Sequence, residues 1–215
     1  MKKKKRICIG LGIGLLVAFL LWTWAVCKID VQTIGPNATS VGFATLNGAF
    51  HEVTGVHMSL YVVTDWLGLV PVAVALAFGV LGMSQWVRRN VLSKVDRDIM
   101  LLGVFYLTVI AAYCLFEYVI INYRPVLMNG NLEASYPSST TLLVLSVMPT
   151  AMLQLHKRIQ REKLRWCTHI VLGTFTLFAV IGRLLSGVHW LTDIIGGCLL
   201  SGGLVAMYAA FENME

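Results

Sequence analysis

The sequence predicts an all-α integral membrane protein in which residues 1–215 form one domain, a bundle of six transmembrane helices. Only 13% of the residues are charged and 57% are hydrophobic, whereas a soluble domain typically carries about 25% charged residues. Six apolar segments are close to the roughly 20 residues that a helix needs to cross a bilayer. Basic residues cluster in alternate connections between these segments.

The first apolar segment, residues 7–27, follows the basic run KKKKR and is interpreted as an uncleaved transmembrane helix. A signal peptide is the alternative interpretation. However, the segment is longer than a typical signal core, and no A-x-A-like cleavage site follows it. The stretch WAVC is also a poor match to a lipoprotein cleavage site. These features favour a helix that stays in the membrane.

Residues 28–59 connect the first two spans and form the longest segment outside the membrane. Their mixture of apolar and polar residues, as in GFATLNGAFHEVTG, predicts a short helix along the membrane interface. The other apolar segments are predicted to be helices because backbone polar groups inside a bilayer must be satisfied internally. They cover residues 60–83, 99–121, 139–155, 167–186 and 190–211.

Glycines predict where spans approach each other closely. Gly10 and Gly14 form a GxxxG pattern in the first span, and four more glycines cluster in the sixth. Small residues let helix backbones approach closely in a membrane. We therefore expect helix contacts at both sets, the second being Gly196, Gly197, Gly202 and Gly203.

The basic residues predict the orientation of the chain. Fourteen of the 17 Lys and Arg residues precede the first span or lie between spans two and three or four and five. The positive-inside rule makes these segments, and with them both termini, cytoplasmic. The loops are too short for a nucleic-acid-binding module, so the expected partners are membrane lipids and no nucleic acid.

Three basic residues remain for the outer side, namely Lys28, Arg124 and Arg183. Two of them lie in polar stretches at the ends of predicted spans. Arginine has a planar, permanently charged guanidinium that suits phosphate oxygens. We therefore expect an anion near Arg124 and Arg183.

Three polar clusters mark the outer ends of spans three to six. Their sequences are EYVIINYRP (117–125), YPSSTT (136–141) and GRLLSGVHWLTD (182–193). They belong to different spans but emerge on the same side, so they are predicted to converge. In the second cluster, Ser138, Ser139 and Thr140 begin a predicted helix, whose free N–H groups favour an anion.

His189 and Asp193 are four residues apart at the start of the sixth span, which predicts that they share one helical face. The carboxylate can then orient the imidazole, as in nucleophilic catalysis. Each cluster taken singly has a structural alternative: a snorkelling arginine, a structural His–Asp pair or a helix cap. Their combination on one side favours a phosphate site.

This combination resembles the type-2 phosphatidic acid phosphatase superfamily of lipid phosphate phosphatases and haloperoxidases, in its integral-membrane branch. That family has the pattern K-x6-R-P, P-S-G-H and S-R-x5-H-x3-D. Arg124 with Pro125 matches the first motif and Pro137 with Ser138 the second. The third motif is matched at full spacing by Arg183, His189 and Asp193.

The resemblance implies dephosphorylation through a phosphohistidine on His189, with Asp193 orienting the ring. It also implies that Arg124, Arg183, Ser138 and the backbone of Ser139 hold the phosphoryl oxygens. No metal or other cofactor is implied. The implied substrate is a lipid phosphate or diphosphate at the outer face of a cell membrane, and the size and simplicity of the chain favour a bacterium.

Three positions depart from the family pattern. Glu117 stands at the lysine of the first motif, Ser139 and Thr140 stand at the Gly-His of the second, and Gly182 stands at the serine of the third. The family histidine protonates the leaving oxygen, which threonine cannot do at neutral pH. General-acid catalysis contributes about 10²–10⁴ in rate, so its loss requires an explanation.

Several explanations stay open at this stage. A polyprenyl diphosphate is favoured as substrate because its leaving group departs as an anion without an acid. Alternatively, Glu117 is the substitute acid, or it is only a structural partner of Arg124 or Arg183. His51 and His57 are weaker candidates for the acid. Another class of function is a relative that binds phospholipid headgroups without turnover, or one that transfers a headgroup or phosphoryl group.

Overall fold

The structure, a computed structural model, describes residues 2–212. These residues are helical, as predicted, with three isolated β-bridges and no strand among them. Two short 3₁₀ turns lie at Pro36–Ala38 and Leu92–Lys94. The α-helices in this part of the chain are α1 (Lys2–Lys28), α2 (Ala44–Thr54), α3 (Met58–Leu67), α4 (Leu69–Arg89), α5 (Arg97–Tyr118), α6 (Ser139–Arg158), α7 (Glu162–Leu185) and α8 (Leu191–Glu212).

Five segments within residues 2–212 are long and apolar enough to cross a membrane, which makes this a multi-pass membrane protein. They are Lys3–Lys28, Met58–Arg89, Arg97–Tyr118, Glu162–Leu185 and Leu191–Glu212. The second is longer than the predicted span 60–83, because it joins α3 to α4 through Gly68. The predicted short helix before it is present as α2, although its position along the interface stays a prediction.

Helix α6 is the predicted fourth span but is not among these five. It lies at the centre of the bundle, against α4, α5, α7 and α8. A helix enclosed by other helices faces protein rather than lipid, so its buried polar side chains can bond to its neighbours. Gln154 donates to the Tyr208 hydroxyl at 2.5 Å, and Thr150 lies 3.4 Å from the Tyr106 hydroxyl. Whether α6 forms a sixth span is taken up under the proposed function.

Glycines bring α1 and α8 together, but only one of the two predicted sets does so. A Cβ on Gly203 would lie 2.8 Å from the Leu16 side chain, and one on Gly202 would lie 3.3 Å from Leu15. The prediction for Gly10 and Gly14 is wrong, since nothing lies within 4 Å of a Cβ at either position. The close contact on α1 is instead made by Gly12, where a Cβ would lie 2.8 Å from Met207.

The other two glycines of α8 pack against the segment that leads into α6. A Cβ on Gly196 would lie 2.7 Å from the Tyr136 ring, and one on Gly197 would lie 3.0 Å from Thr141. This close approach holds the start of α6 directly against the start of α8. The two parallel helices therefore present their N-terminal ends side by side.

Alternating helix directions separate the connections into two ends. The basic α4–α5 and α6–α7 connections lie at one end, here called the basic end. There Arg158 pairs with Asp98 at 2.8 Å and Lys157 with Glu212 at 3.1 Å. The opposite end carries α2, residues 119–138 and the α7–α8 turn, and it holds all three predicted polar clusters.

Candidate active site

An open cleft of about 570 Å³ lies at this opposite end, here called the site end. Residues from all three predicted clusters line it, together with residues of α3. The lining residues are Tyr61, Asp65, Tyr113, Glu117, Ile120, Tyr123, Arg124, Leu132, Glu133, Ala134, Ser139, Thr140 and Arg183. The structure thus brings together the clusters that the sequence predicts to converge.

Residues 122–135 form a hairpin-like loop that positions Arg124. The backbone N–H of Arg124 donates to the Glu133 carbonyl at 3.0 Å, and that of Ser135 donates to the Asn122 carbonyl at 2.9 Å. The tip of the loop turns at Asn129 (φ 50°) and Gly130 (φ 80°). Asn-Gly is the residue pair that most readily adopts two successive positive φ angles in a tight hairpin turn.

Arg124 and Arg183 are buried, and each pairs with a carboxylate of the cleft. A terminal nitrogen of Arg183 donates to Asp65 at 3.2 Å, and the Nε of Arg124 lies 3.1 Å from Glu133. The Arg183 guanidinium also lies 4.7 Å from the centre of the Tyr61 ring. The Nε of each arginine is buried and has no hydrogen-bond partner. In Arg124 this holds although Glu133 is close, because the Nε–H is not directed at the carboxylate. Both guanidinium groups therefore keep unused donor capacity.

The ring of His189 is buried and held from both of its nitrogens. Its Nδ1 lies 3.1 Å from the Ser135 carbonyl oxygen, and its Nε2 lies 3.4 Å from a terminal nitrogen of Arg124. A carbonyl only accepts hydrogen bonds and an arginine only donates them. The proton of the neutral ring is therefore on Nδ1, and the free electron pair is on Nε2, facing Arg124.

The surroundings of His189 also favour its neutral form. Burial, together with the positive charges of Arg124 and Arg183, holds the pKa of His189 well below its usual range. A neutral imidazole with an unprotonated Nε2 has the protonation state that a nitrogen nucleophile needs at neutral pH.

The prediction that His189 and Asp193 share a helical face is wrong. Helix α8 begins at Leu191, so His189 precedes it, in the turn that follows α7. The two side chains still meet, with Nδ1 3.7 Å from a carboxylate oxygen of Asp193. That oxygen accepts the N–H of Trp190 at 2.9 Å, so Asp193 also caps its own helix.

The turn before His189 depends on a glycine. Gly187 has φ +69°, and a Cβ there would lie 2.0 Å from the carbonyl oxygen of Gly55. A further bond, from the His57 N–H to the Ser186 carbonyl at 2.9 Å, ties the turn to the segment between α2 and α3. Only a residue without a side chain fits this close approach of Gly187 to the Gly55 carbonyl. The resulting turn places the His189 ring next to Arg124.

The second cluster divides into a buried cap and a cleft wall. The Ser138 hydroxyl is fully buried and accepts bonds from the N–H and the hydroxyl of Thr141, at 3.5 and 3.1 Å. Ser138 is thus the N-cap of α6, and its hydroxyl does not line the cleft. Ser139 and Thr140 do line it, so their free backbone N–H groups are placed near the two arginines.

Glu117 lines the cleft but makes none of the predicted ion pairs. Among residues 2–212, Arg124 pairs with Glu133 and Arg183 pairs with Asp65, whereas Glu117 pairs with no basic residue. The alternative that Glu117 is a structural partner of either arginine is therefore wrong.

The two weaker candidates for the acid, His51 and His57, do not line the cleft. His51 packs 5.5 Å from the centre of the Trp190 ring. His57 bonds through Nε2 to the Thr54 carbonyl at 2.9 Å.

Gly182, at the position of the family serine, allows α3 to pack against α7. A Cβ at this position would lie 2.8 Å from the Thr64 side chain. The close contact places Asp65, the next residue of α3, within reach of Arg183.

Sequence reasoning missed five residues of the site. Asp65, Glu133 and Tyr61 contact the arginines, Ser135 accepts from His189, and Asn122 donates to Asp193 at 3.4 Å. An acidic residue inside a predicted apolar span is unusual, and this was the available signal for Asp65. The Ser135 contact is made by a backbone carbonyl, which no residue type reveals.

No three His, Cys, Asp or Glu side chains among residues 2–212 converge as metal ligands do. The cleft offers two arginines and helix N–H groups for an anion. His189 and Asp193 are buried and do not line it, but Nε2 of His189 lies 3.4 Å from Arg124, which does. Such a site can hold a phosphoryl group next to a nitrogen nucleophile.

Two comparisons with known proteins identify the family and the fold. The family model for the PAP2 superfamily matches residues 104–215, which include the arginines, the start of α6 and the His189 turn. A solved structure, "Crystal structure of the first transmembrane PAP2 type phosphatidylglycerolphosphate phosphatase from Bacillus subtilis", is similar with a TM-score of 0.64 and 19% sequence identity, covering 94% of each chain. At that identity the similarity concerns the fold. No match is found among curated proteins.

Proposed function

The chain belongs to the PAP2 superfamily, and from that premise we propose that it removes phosphate from a membrane lipid through a phosphohistidine on His189. The observation that carries the proposal is the state of this ring, whose Nδ1 donates to the Ser135 carbonyl and whose Nε2 is unprotonated and accepts from Arg124. In the reaction, Nε2 attacks the terminal phosphorus, an N–P bond forms, and the bond from that phosphorus to the oxygen of the leaving group breaks. In a diphosphate this is the bridging oxygen, which departs on the lipid phosphate. Water then attacks the phosphohistidine and releases phosphate.

The arginines supply the charge that this reaction needs. In the structure a terminal nitrogen of Arg124 contacts Nε2 of His189. The Arg124 side chain therefore has to move from Nε2 to the phosphoryl oxygens as the substrate enters. Arg183 and the backbone N–H groups of Ser139 and Thr140 then stabilise the negative charge of the transition state. Ser138 holds the start of α6 in place, and its family role as a phosphate ligand stays a prediction.

Asp193 and Ser135 keep the ring of His189 oriented. The positive charge that develops on the ring in the phosphohistidine is stabilised by the carboxylate 3.7 Å from Nδ1. Loss of this carboxylate leaves the carbonyl of Ser135 as the ring partner at Nδ1.

The leaving group selects the substrate. Thr140 lines the cleft at the position of the family's proton donor, and its hydroxyl is too weak an acid for that role. A diphosphate expels a lipid phosphate, which leaves as an anion without protonation. A lipid diphosphate such as a polyprenyl diphosphate therefore suits this cleft better than a phosphate monoester.

Release of phosphate from detergent-purified protein tests the proposal, with a polyprenyl diphosphate and phosphatidic acid as substrates. We expect release from the diphosphate, its loss in His189→Ala, and covalent phosphate trapped on His189 of the wild type. His156→Ala, at the basic end, is the matched control and should behave as wild type. Absence of release from every lipid phosphate and diphosphate would refute the hydrolase.

A headgroup-binding protein without turnover is the second candidate, favoured by Thr140 and by the carboxylates already paired with both arginines. This alternative predicts that the wild type releases no phosphate from any lipid and that Thr140→His restores phosphate release. Transfer to an acceptor alcohol, the remaining alternative, would consume the lipid and leave no free phosphate.

The protein is proposed to lie in a bacterial cell membrane with the site end outside. The basic residues support this orientation by the positive-inside rule. It requires α6 to cross the bilayer as a sixth span, shielded from lipid by its neighbours, and it places both termini in the cytoplasm.

A further inference from the structure

The cleft carries more negative than positive side chains. Two arginines, Arg124 and Arg183, share it with three carboxylates, Asp65, Glu117 and Glu133. Two of the carboxylates are paired with the arginines, whereas Glu117 pairs with no basic residue of the described chain. A ligand with only negative charge would leave Glu117 facing it without compensation.

Glu117 lies in the last turn of α5, exposed at the mouth of the cleft. Tyr113, one turn earlier, interacts with this carboxylate and lies within electrostatic reach of Arg124. Glu117 and Arg124, the arginine next to His189, thus line the same part of the cleft. In the family pattern the position of Glu117 is occupied by a lysine, so the charge here is reversed. The charge of Glu117 opposes the binding of a purely anionic head, and no basic residue among residues 2–212 pairs with it.

Aromatic rings complete the surroundings of Glu117. Tyr61, Tyr113 and Tyr123 line the same cleft. Tyr61 is occupied by the Arg183 guanidinium at 4.7 Å, but Tyr113 is 41% exposed. Aromatic faces and a carboxylate are the groups that recognise an organic ammonium ion.

We propose that the cleft selects a lipid whose phosphoryl head also carries an ammonium group, with Glu117 as the specificity-determining residue. The phosphoryl oxygens bind Arg124 and Arg183, whose buried Nε groups have no hydrogen-bond partner. The ammonium group binds Glu117 beside Tyr113. This inference rests on the proposed function only for the position of the phosphoryl group. The leaving group favours a diphosphate over a monoester, and Glu117 adds a second criterion, which favours a head that also carries an ammonium group over an all-anionic head.

The test is the binding of two lipids with identical chains, phosphatidylethanolamine and phosphatidylglycerol, to purified protein in detergent. We expect the wild type to prefer the ethanolamine lipid by about three- to tenfold, the size that one exposed ion pair and one cation–π contact supply. Glu117→Gln should remove the preference and Glu117→Lys should reverse it. Glu52→Gln, an exposed carboxylate of α2 outside the cleft, is the matched control and should keep it.

Equal binding of both lipids by the wild type, or binding of neither, overturns the proposal. So does a preference that survives in Glu117→Gln. A uniform loss of turnover in Glu117→Gln with an unchanged preference would identify Glu117 as the substitute acid instead. Soluble phosphoethanolamine is a third probe, and binding as tight as that of the lipid would exclude a lipid ligand.

The binding assay does not require turnover, so it fails independently of the proposed function. Selective binding without release of phosphate from any lipid would leave this inference standing and remove the hydrolase. Release without selectivity would do the reverse.

Discussion

At the scale of single residues, the role of a side chain in the site depends on which of its atoms already form hydrogen bonds. His189 and Ser138 were both singled out by their residue types, but their surroundings differ. The histidine keeps one unprotonated nitrogen, which accepts from the side chain of an arginine, whereas the serine hydroxyl is bonded within a helix cap. Each of these two residues leads to a prediction.

His189 should titrate below the ordinary histidine pKa of about 6.5. Burial and the charges of Arg124 and Arg183 disfavour the protonated ring, so the neutral form persists as the pH falls below 6.5. The loss of nucleophile then begins only at the lowered pKa. Nitrogen NMR of ¹⁵N-histidine-labelled protein, assigned with His189→Ala, measures both the midpoint and the Nδ1–H tautomer.

Arg124→Gln is the control for this titration, because removal of its charge should raise the midpoint for His189. A wild-type midpoint above 6.5, or a proton on Nε2, would contradict the account of the nucleophile.

Ser138→Ala should lower the free energy of unfolding by about 1 kcal/mol, the typical cost of losing an N-cap side chain. The Ser138 hydroxyl accepts from Thr141 and does not line the cleft, so KM should change little. Thermal unfolding in detergent and the kinetics of phosphate release measure the two effects. A large rise in KM with unchanged stability would instead show that Ser138 binds phosphate directly, as the family resemblance implies.

At the scale of elements, the site depends on two connections and one helix start. The 122–135 loop carries Arg124, the α7–α8 turn carries His189, and α6 begins between them. These pieces are held by backbone contacts rather than by the apolar patterns that predict helices. Their glycines are therefore the sensitive positions.

Gly187→Ala should displace the α7–α8 turn and abolish phosphate release. A positive φ costs a non-glycine residue about 1–2 kcal/mol, and the added Cβ would meet the Gly55 carbonyl at 2.0 Å. Unfolding temperature and phosphate release measure the change. Gly14→Ala is the matched control, since nothing lies within 4 Å of a Cβ there, and it should stabilise α1 by up to about 1 kcal/mol. Normal activity of Gly187→Ala would remove this turn from the site.

At the scale of the whole molecule, charge divides the bundle into two unlike ends. Fourteen of the 17 basic residues lie at the basic end. The site end carries only Lys28, Arg124 and Arg183 among its basic residues. The positive-inside rule, applied to this asymmetry, supports the proposed orientation with the cleft on the outer face.

Labelling of single cysteines should place the two ends of α6 on opposite sides of the membrane. In a background without the five native cysteines, Asn131→Cys precedes α6 and Arg161→Cys follows it. A membrane-impermeant maleimide should label position 131 in intact cells and position 161 only after permeabilisation. The reverse pattern would invert the orientation, and labelling of both in intact cells would show that α6 does not cross.

The sequence alone predicted most helices and most members of the site. Long apolar segments form membrane helices because the bilayer demands internal backbone bonding, and this is a local property of the chain. Arginine, histidine and aspartate in such segments are costly, so Arg124, Arg183, His189 and Asp193 were visible by residue type. Hydropathy was a poorer guide to α6, whose polar side chains face other helices.

Only the tertiary structure decided how these residues are connected. Arg183 pairs with Asp65, 118 residues away, and the ring of His189 bonds to the Ser135 carbonyl, 54 residues away. Spacing along the chain carries no information about such contacts, because they depend on how separate helices pack. The sequence by itself therefore determined which groups are available for chemistry. The packing of α3, α6, α7 and the 122–135 loop decided which nitrogen of His189 is unprotonated and which carboxylates pair with the two arginines. It also left Glu117 without a basic partner among residues 2–212.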